Sequence, residues 1–161
     1  MASVQKLHRD LSGLQPRSFF KRQFHRLLAS TCLAGICVAA SPASAVDWLG
    51  TTSSNWFLAG NWSPAAVPTS STDVIINGGF SNPADITSAG AVARALTLGN
   101  GTGQSGALNI SAGGTLNSGS SNLAYDPDAR GTATVTGAGS TWNASSLNLG
   151  MDKGAVGQLN I

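Results

Sequence analysis

The 161-residue sequence contains no glutamate, and its two cysteines and two histidines all lie before residue 38. From Val46 onward the chain therefore lacks the side chains that most often act as nucleophile or general base near neutral pH. It also has no thiol there to form a disulfide. Charge is scarce in the same region, because three cations and six aspartates leave a net charge of −3. Nucleic-acid binding, which depends on clustered cations, is therefore not supported.

The N-terminal segment has the order of a secretory signal peptide. Six of the nine cations precede an uncharged apolar run at residues 27–40, which is too short to cross a hydrocarbon layer of about 30 Å as a helix. The small residues Ala43 and Ala45 follow, in the spacing that signal peptidase accepts. We predict a leader over residues 1–45, cleaved between Ala45 and Val46, with the export machinery and signal peptidase as partners. An uncleaved N-terminal anchor is the alternative.

The C-terminal part is built from a repeat. The five-residue segment at 106–110 returns at 131–135 and again at 157–161, at spacings of 25 and 26 residues. A second short segment precedes each of these copies at a matching distance, at residues 96–99, 121–124 and 147–150. Two of its three copies read Leu-x-Leu-Gly. Two recurring anchors in the same register indicate a solenoid or a repeat array.

Apolar residues alternate with small polar ones inside each repeat, as Leu108 and Ile110 do around Asn109. A period of two is the pattern of a β-strand, and the frequent glycines leave no room for a helix. Three short strands and their turns fill one repeat. We therefore predict an all-β fold, a parallel β-helix whose coils stack about 4.8 Å apart.

Stacked coils place like residues above one another. Two interior columns are expected, with Leu98, Leu123 and Leu149 in one and Ile110, Val135 and Ile161 in the other. Asn109 and Asn160 occupy equivalent positions, where we expect a side-chain amide ladder. The glycines that recur at positions 106, 131 and 157 predict corners with positive φ or close backbone approach.

The region before the repeats has a different composition, since Trp48, Trp56 and Trp62 lie among Asp, Asn, Ser and Gly residues. We predict an irregular N-terminal cap over residues 46–95, with one strand around residues 74–76. Repeat proteins need such a cap because an uncovered terminal coil exposes apolar surface and unpaired backbone groups. Residues 96–161 are then expected to hold about two and a half coils, ending in mid-repeat.

The repeat resembles that of autotransporter (type V secretion) passengers, which some surface proteins with a C-terminal sorting signal share. Its most distinctive piece is Gly-Ala-Gly-Ser-Thr-Trp-Asn at residues 137–143, and the tryptophan-containing opening at residues 47–69 is similar to the start of many passengers. The resemblance implies a right-handed parallel β-helix that is exported through the inner membrane. It also implies, as a partner outside this chain, an outer-membrane β-barrel translocator.

The carboxylates of the repeat region are few. Asp126 and Asp128 form the closest pair, and a solvated turn explains them better than a calcium site, which needs six to eight oxygen ligands. A β-helical polysaccharide lyase or hydrolase would need both to converge with Arg130 and Lys153. We predict no catalytic residue, metal site or cofactor, and therefore no enzyme.

The three cap tryptophans have two interpretations. Trp48, Trp56 and Trp62 are candidate carbohydrate contacts, because aromatic rings stack on sugars, but burial as a plug is the favoured role. The predicted function is that of a secreted or surface-exposed passenger segment, structural or adhesive, located at the bacterial cell surface, at the outer membrane or outside the cell. Its expected partner is a glycan or protein of a host or matrix.

Overall fold

Short strands alternate with glycine-rich corners along residues 44–78 and 81–161, the parts of the chain that the computed structural model describes. The predicted leader therefore lies outside the described residues except for its last two. Besides one 3-10 turn at Ala59–Asn61, the regular elements are the strands β1 (Ala45–Trp48), β2 (Trp62–Ser63), β3 (Asp73–Ile76), β4 (Ala84–Ile86), β5 (Ala91–Leu98), β6 (Ser105–Ile110), β7 (Thr115–Leu123), β8 (Arg130–Val135), β9 (Thr141–Leu149) and β10 (Val156–Asn160).

The strands form two sheets that face each other across one apolar core. The first sheet has the order β2-β1-β3-β5-β7-β9 and the second the order β10-β8-β6-β4. Neighbouring strands pair in parallel, apart from β1 with β2. Each coil thus contributes one strand to each sheet, and the fold is a parallel β-solenoid of about five turns. The predicted all-β parallel β-helix is confirmed.

The predicted interior columns are present except at their C-terminal ends, where Leu149 is 49% exposed and Ile161 is 97% exposed. Leu123 lies in register between Leu98 and Leu149, and Ile110 lies in register with Val135. Leu98, Leu123 and Ile110 are fully buried. The period-two pattern places these side chains on the inner face of each strand, and the equal repeat spacing brings them above one another.

The predicted Asn109–Asn160 ladder is wrong, because Thr134 lies between the two asparagines. Thr134 pairs in register with Asn109 on one side and with Asn160 on the other. The Asn109 amide instead donates to Asp85 Oδ1 at 2.8 Å, one coil earlier. Two asparagines in contact must lie on adjacent coils, and the middle copy of the repeat carries threonine at this position.

Amide ladders do occur on the outer face of the first sheet. Asn143 Nδ2 donates to Asn117 Oδ1 at 3.0 Å, and Asn148 Nδ2 donates to Asn122 Oδ1 at 2.9 Å. Each pair is in register between β7 and β9. The ladders therefore tie the last two coils together through side chains as well as through the backbone.

The recurring glycine of each coil is explained by close approach. A Cβ on Gly106 would lie 2.0 Å from the carbonyl oxygen of Ile76, and one on Gly131 would lie 2.5 Å from the nitrogen of Ala124. Positive φ occurs instead at the end of each Leu-x-Leu-Gly segment. The φ angles of Gly99, Ala124 and Gly150 are 74°, 65° and 64°, so Ala124 adopts a conformation that glycine adopts in the neighbouring coils.

Regular stacking begins earlier than the sequence indicates. Strand β3 pairs with β5 in the register Val74 to Leu96, and β4 pairs with β6. A parallel bridge from Asn55 to Asp85 extends the second sheet by a further coil. The irregular part of the predicted cap is thus confined to the segment between β1 and β3. The early coils were not predicted, because their inward residues follow the apolar alternation but do not match the amino acids of the later repeats.

Candidate functional site

The charged residues at the corner before β8 make contacts between successive coils. Asp126 Oδ2 accepts a hydrogen bond from the backbone N–H of Gly101 at 2.5 Å, one coil earlier. The Asp128 N–H donates to the Lys153 carbonyl at 3.0 Å, one coil later. Both aspartates therefore occupy contacts that connect successive coils. Arg130 is exposed at the start of β8 and makes no ion pair among the residues that the structure describes.

The side chains that could bind a metal ion do not form a cluster in the described residues. Within residues 44–78 and 81–161, no three His, Cys, Asp or Glu side chains are placed to hold a metal ion. The one ion pair of this part of the chain joins Arg94 and Asp73, on neighbouring coils of the first sheet.

The cap tryptophans are buried. Trp48, Trp56 and Trp62 are 1%, 0% and 1% exposed. Trp62 is the central ring, and it meets each of the other two edge to face with centroids 4.8 Å apart. All three rings are covered by the protein itself in this structure, and the candidate carbohydrate contacts stay a prediction. Their apolar area is removed from water under the first coil, and they act as the plug.

Asn61 is the residue that organises this plug, and sequence reasoning assigned it no role. Its Oδ1 accepts hydrogen bonds from the backbone N–H groups of Thr52 and Ser53, and its Nδ2 donates to Ser53 Oγ and to the Asn55 carbonyl, all at 2.9–3.1 Å. The side chain is fully buried with this complete set of partners. An asparagine beside a tryptophan in a polar segment carries no signal that distinguishes it from its neighbours.

The last two strands of the first sheet, β7 and β9, present an uncharged array of amides and hydroxyls on their outer face, whereas the earlier strands carry Asp47, Asp73 and Arg94. The columns on β7 and β9 pair Thr115 with Thr141, Asn117 with Asn143, Ser120 with Ser146, and Asn122 with Asn148. Neither strand carries a charged residue or a proline. Regular parallel pairing fixes the spacing between these groups at about 4.8 Å.

The last coil has an accessible apolar interior. A cavity of about 240 Å³ lies there, lined in part by Val135, Trp142 and Leu147. Trp142 leans over the preceding coil, and its indole N–H donates to Ser118 Oγ at 2.9 Å. The cavity is therefore the continuation of the solenoid core.

The predicted cleavage site lies at the opposite end of the solenoid. Ala45 and Val46 are the first two residues of β1, while Ala43 lies outside the described residues. Ala45 is exposed and Val46 is buried. The predicted scissile bond is therefore part of a paired strand in the folded protein, although the sequence indicated only a small-residue motif.

No described helix is long and apolar enough to cross a membrane. No family model, curated protein or solved structure matches this chain.

Proposed function

We propose that this chain is a secreted or surface-exposed passenger segment of the autotransporter type, with a structural or adhesive role. The observation that carries the proposal is the stack of parallel coils, with uncharged polar columns on the outer face of β7 and β9. On these two strands the same groups are repeated from one coil to the next. A repeated surface of this kind suits a surface protein that makes many weak contacts at once.

Adhesion through such a face depends on the combined contribution of several weak hydrogen bonds. One hydrogen bond contributes only about 0.5–1.5 kcal/mol in water, and the columns offer several at fixed spacing. Simultaneous engagement of linked contacts raises the overall affinity without any single strong site. The scarcity of charge in the repeats also favours neutral glycan or protein surfaces over strongly charged partners.

Export is tested with the full chain. The 161-residue protein is expressed with its own leader in a bacterial host, the cell fractions are separated, and the N-terminus of the exported product is sequenced. We expect an exported chain that begins at Val46. Retention in the cytoplasm with the N-terminal segment intact would remove the basis for an exported passenger.

Adhesion is tested with the exported product on a panel of immobilised matrix proteins and neutral glycans. The double variant Asn122→Ala/Asn148→Ala removes one amide column, and loss of two hydrogen-bonding groups is expected to weaken binding about tenfold. Asp152→Ala, at a corner of the coil, is the control and should bind like the unmodified chain. Equal binding by both variants would show that this face is not adhesive.

The alternative activity, cleavage of polysaccharide, is separated by one assay. The exported chain is incubated with acidic glycans, and new unsaturated or reducing ends are measured. We expect none. Cleavage that disappears in Asp126→Ala but persists in Asp152→Ala would replace the adhesive proposal by an enzymatic one.

A further inference from the structure

The predicted scissile bond is integrated into the first sheet. Ala45 and Val46 pair in parallel with Asp73 and Val74 of β3, and the next residue, Asp47, pairs with β2 on the other side. The Val46 side chain is 3% exposed and belongs to the apolar core. The bond between Ala45 and Val46 is therefore held in an extended, paired conformation once β1 has docked.

Asp73 lies directly beside this bond. Its N–H donates to the Ser44 carbonyl at 3.1 Å, and the alternation of a parallel ladder then directs the N–H of Val46 to the Asp73 carbonyl. One carboxylate oxygen, Oδ2, pairs with Arg94. The other, Oδ1, is buried and has no hydrogen-bond partner among the described residues. The Asp73 side chain as a whole is 31% exposed, so only this one oxygen is shielded from water. A buried oxygen without a donor is unfavourable.

We propose that Asp73 is the docking partner of the amino terminus that cleavage between Ala45 and Val46 creates. This inference rests on the proposed function, because it requires that the leader is removed at that bond. Hydrolysis breaks the bond between the Ala45 carbonyl carbon and the Val46 nitrogen. Water supplies the hydroxyl group of the new Ala45 carboxylic acid and a proton for the Val46 amine. The acid then releases its proton to become a carboxylate, and the amine takes up one proton to become an ammonium.

The new ammonium has more donors than the amide it replaces. One N–H continues to face the Asp73 carbonyl, while the others point to the space that Ala45 has left, next to the Asp73 carboxylate. The charged groups around this point are Asp73 on β3, Asp47 on β1 and Arg94 on β5. Two acids and one cation leave a local excess of negative charge, which favours the ammonium form.

The same geometry determines which comes first, cleavage of the leader or docking of β1 on β3. A signal peptidase must take the scissile bond in an extended conformation into its own active site, and β3 occupies that backbone in the folded protein. Cleavage therefore precedes docking of β1. The released terminus then closes the first coil over the tryptophan plug by binding Asp73.

The ion pair is tested on the chain exported with its own leader. The exported chain is labelled uniformly with ¹³C and ¹⁵N, and the pKa of its unmodified N-terminal amine is measured from the ¹³Cα shift of Val46 in an NMR titration. We expect its pKa above the ordinary range of about 7.7–8.0, and we expect Asp73→Asn to return it to that range or below. Asp47→Asn, which removes the neighbouring acid, should retain most of the upward shift. The same pKa in the unmodified chain and in Asp73→Asn would overturn the proposal.

Two further measurements guard against misfolding of Asp73→Asn. Arg94→Gln removes the competing cation, so the pKa of the amine should stay raised or rise further, and a fall would contradict the proposal. The full chain diluted from urea directly into signal peptidase should be cleaved at least about tenfold faster than chain that has refolded first, and equal rates would contradict the proposed order. An exported chain that keeps its leader is a different result, since it would refute the leader itself.

Discussion

The indole N–H of Trp62 donates to the backbone carbonyl of Trp56 at 2.8 Å, and the two rings meet edge to face with their centroids 4.8 Å apart. The pair closes the solenoid beneath its first coil. Edge-to-face contact places the positive ring edge against the negative ring face, which stabilises aromatic pairs beyond their buried area. The indole N–H of Trp62 is satisfied in the same arrangement, whereas the indole N–H of Trp56 is buried without a partner among the described residues.

Trp62→Phe should therefore destabilise the fold by about 1–3 kcal/mol, because it leaves the Trp56 carbonyl unpaired and the ring space underfilled. Urea unfolding followed by circular dichroism measures the change. Tyr125→Phe is the matched control, since Tyr125 is 44% exposed and loss of its hydroxyl should change stability by no more than about 0.5 kcal/mol. Equal effects of the two substitutions would refute the role of Trp62 as plug.

Asn61→Ala should be at least as damaging. The substitution removes the acceptor of two backbone N–H groups and the donor to two oxygens, and each buried polar group left unpaired costs about 1–3 kcal/mol. Asn148→Ala breaks one exposed amide contact and should cost less than about 1 kcal/mol. Thermal unfolding of the two variants gives the comparison, and the ranking fails if Asn148→Ala has the larger effect.

The Leu98–Leu123–Leu149 column allows the same substitution to be tested at a buried position and at a half-exposed one. Leu123 is fully buried between its neighbours, whereas Leu149 is 49% exposed in the last coil. Leu123→Ala should cost about 2–5 kcal/mol through lost burial and the cavity it leaves, and Leu149→Ala less than half of that. Chemical denaturation of the two variants decides the matter. Similar losses would mean that the column is not continuous.

Gly131→Ala should prevent the two sheets from approaching at their corner, because the added Cβ would lie 2.5 Å from the Ala124 nitrogen. Overpacking of this kind costs typically about 1–3 kcal/mol. Gly103→Ala is the control, since its φ is 69° but nothing lies within 4 Å of the added carbon, so only backbone strain of about 1 kcal/mol applies. Hydrogen exchange of the β6 and β8 amides should rise in Gly131→Ala alone.

Much of the fold was predictable from local pattern. The spacing between the copies at residues 106–110 and 131–135 defined the coil, and alternation around Leu108 and Ile110 defined the strands and their inner faces. The Leu98–Leu123–Leu149 column followed directly, because equal spacing and a period of two leave one register for stacked strands. The earlier coils could not be recognised as repeats, because β3 and β4 keep the apolar alternation but differ from the later repeats in amino-acid sequence.

The candidate sites were less predictable. For Trp48, Trp56 and Trp62 the sequence favoured burial as a plug over sugar contact, and only the tertiary structure shows that the three rings are buried against one another. The amide ladder expected at Asn109 formed at Asn117 and Asn122 instead, since contact requires asparagine on adjacent coils. The docking of β1 beside Asp73 had no local signal at all.

The sequence by itself determined the period of the coil, the strands and the inward residues, because these depend on neighbours along the chain and on equal spacing. The tertiary structure alone decided which polar side chains are buried and what they contact. The partners of Asn61 lie six to nine residues away in a segment without regular strands, and Asp73 is paired with Arg94 from the next coil. A residue's solvation depends on everything that folds around it.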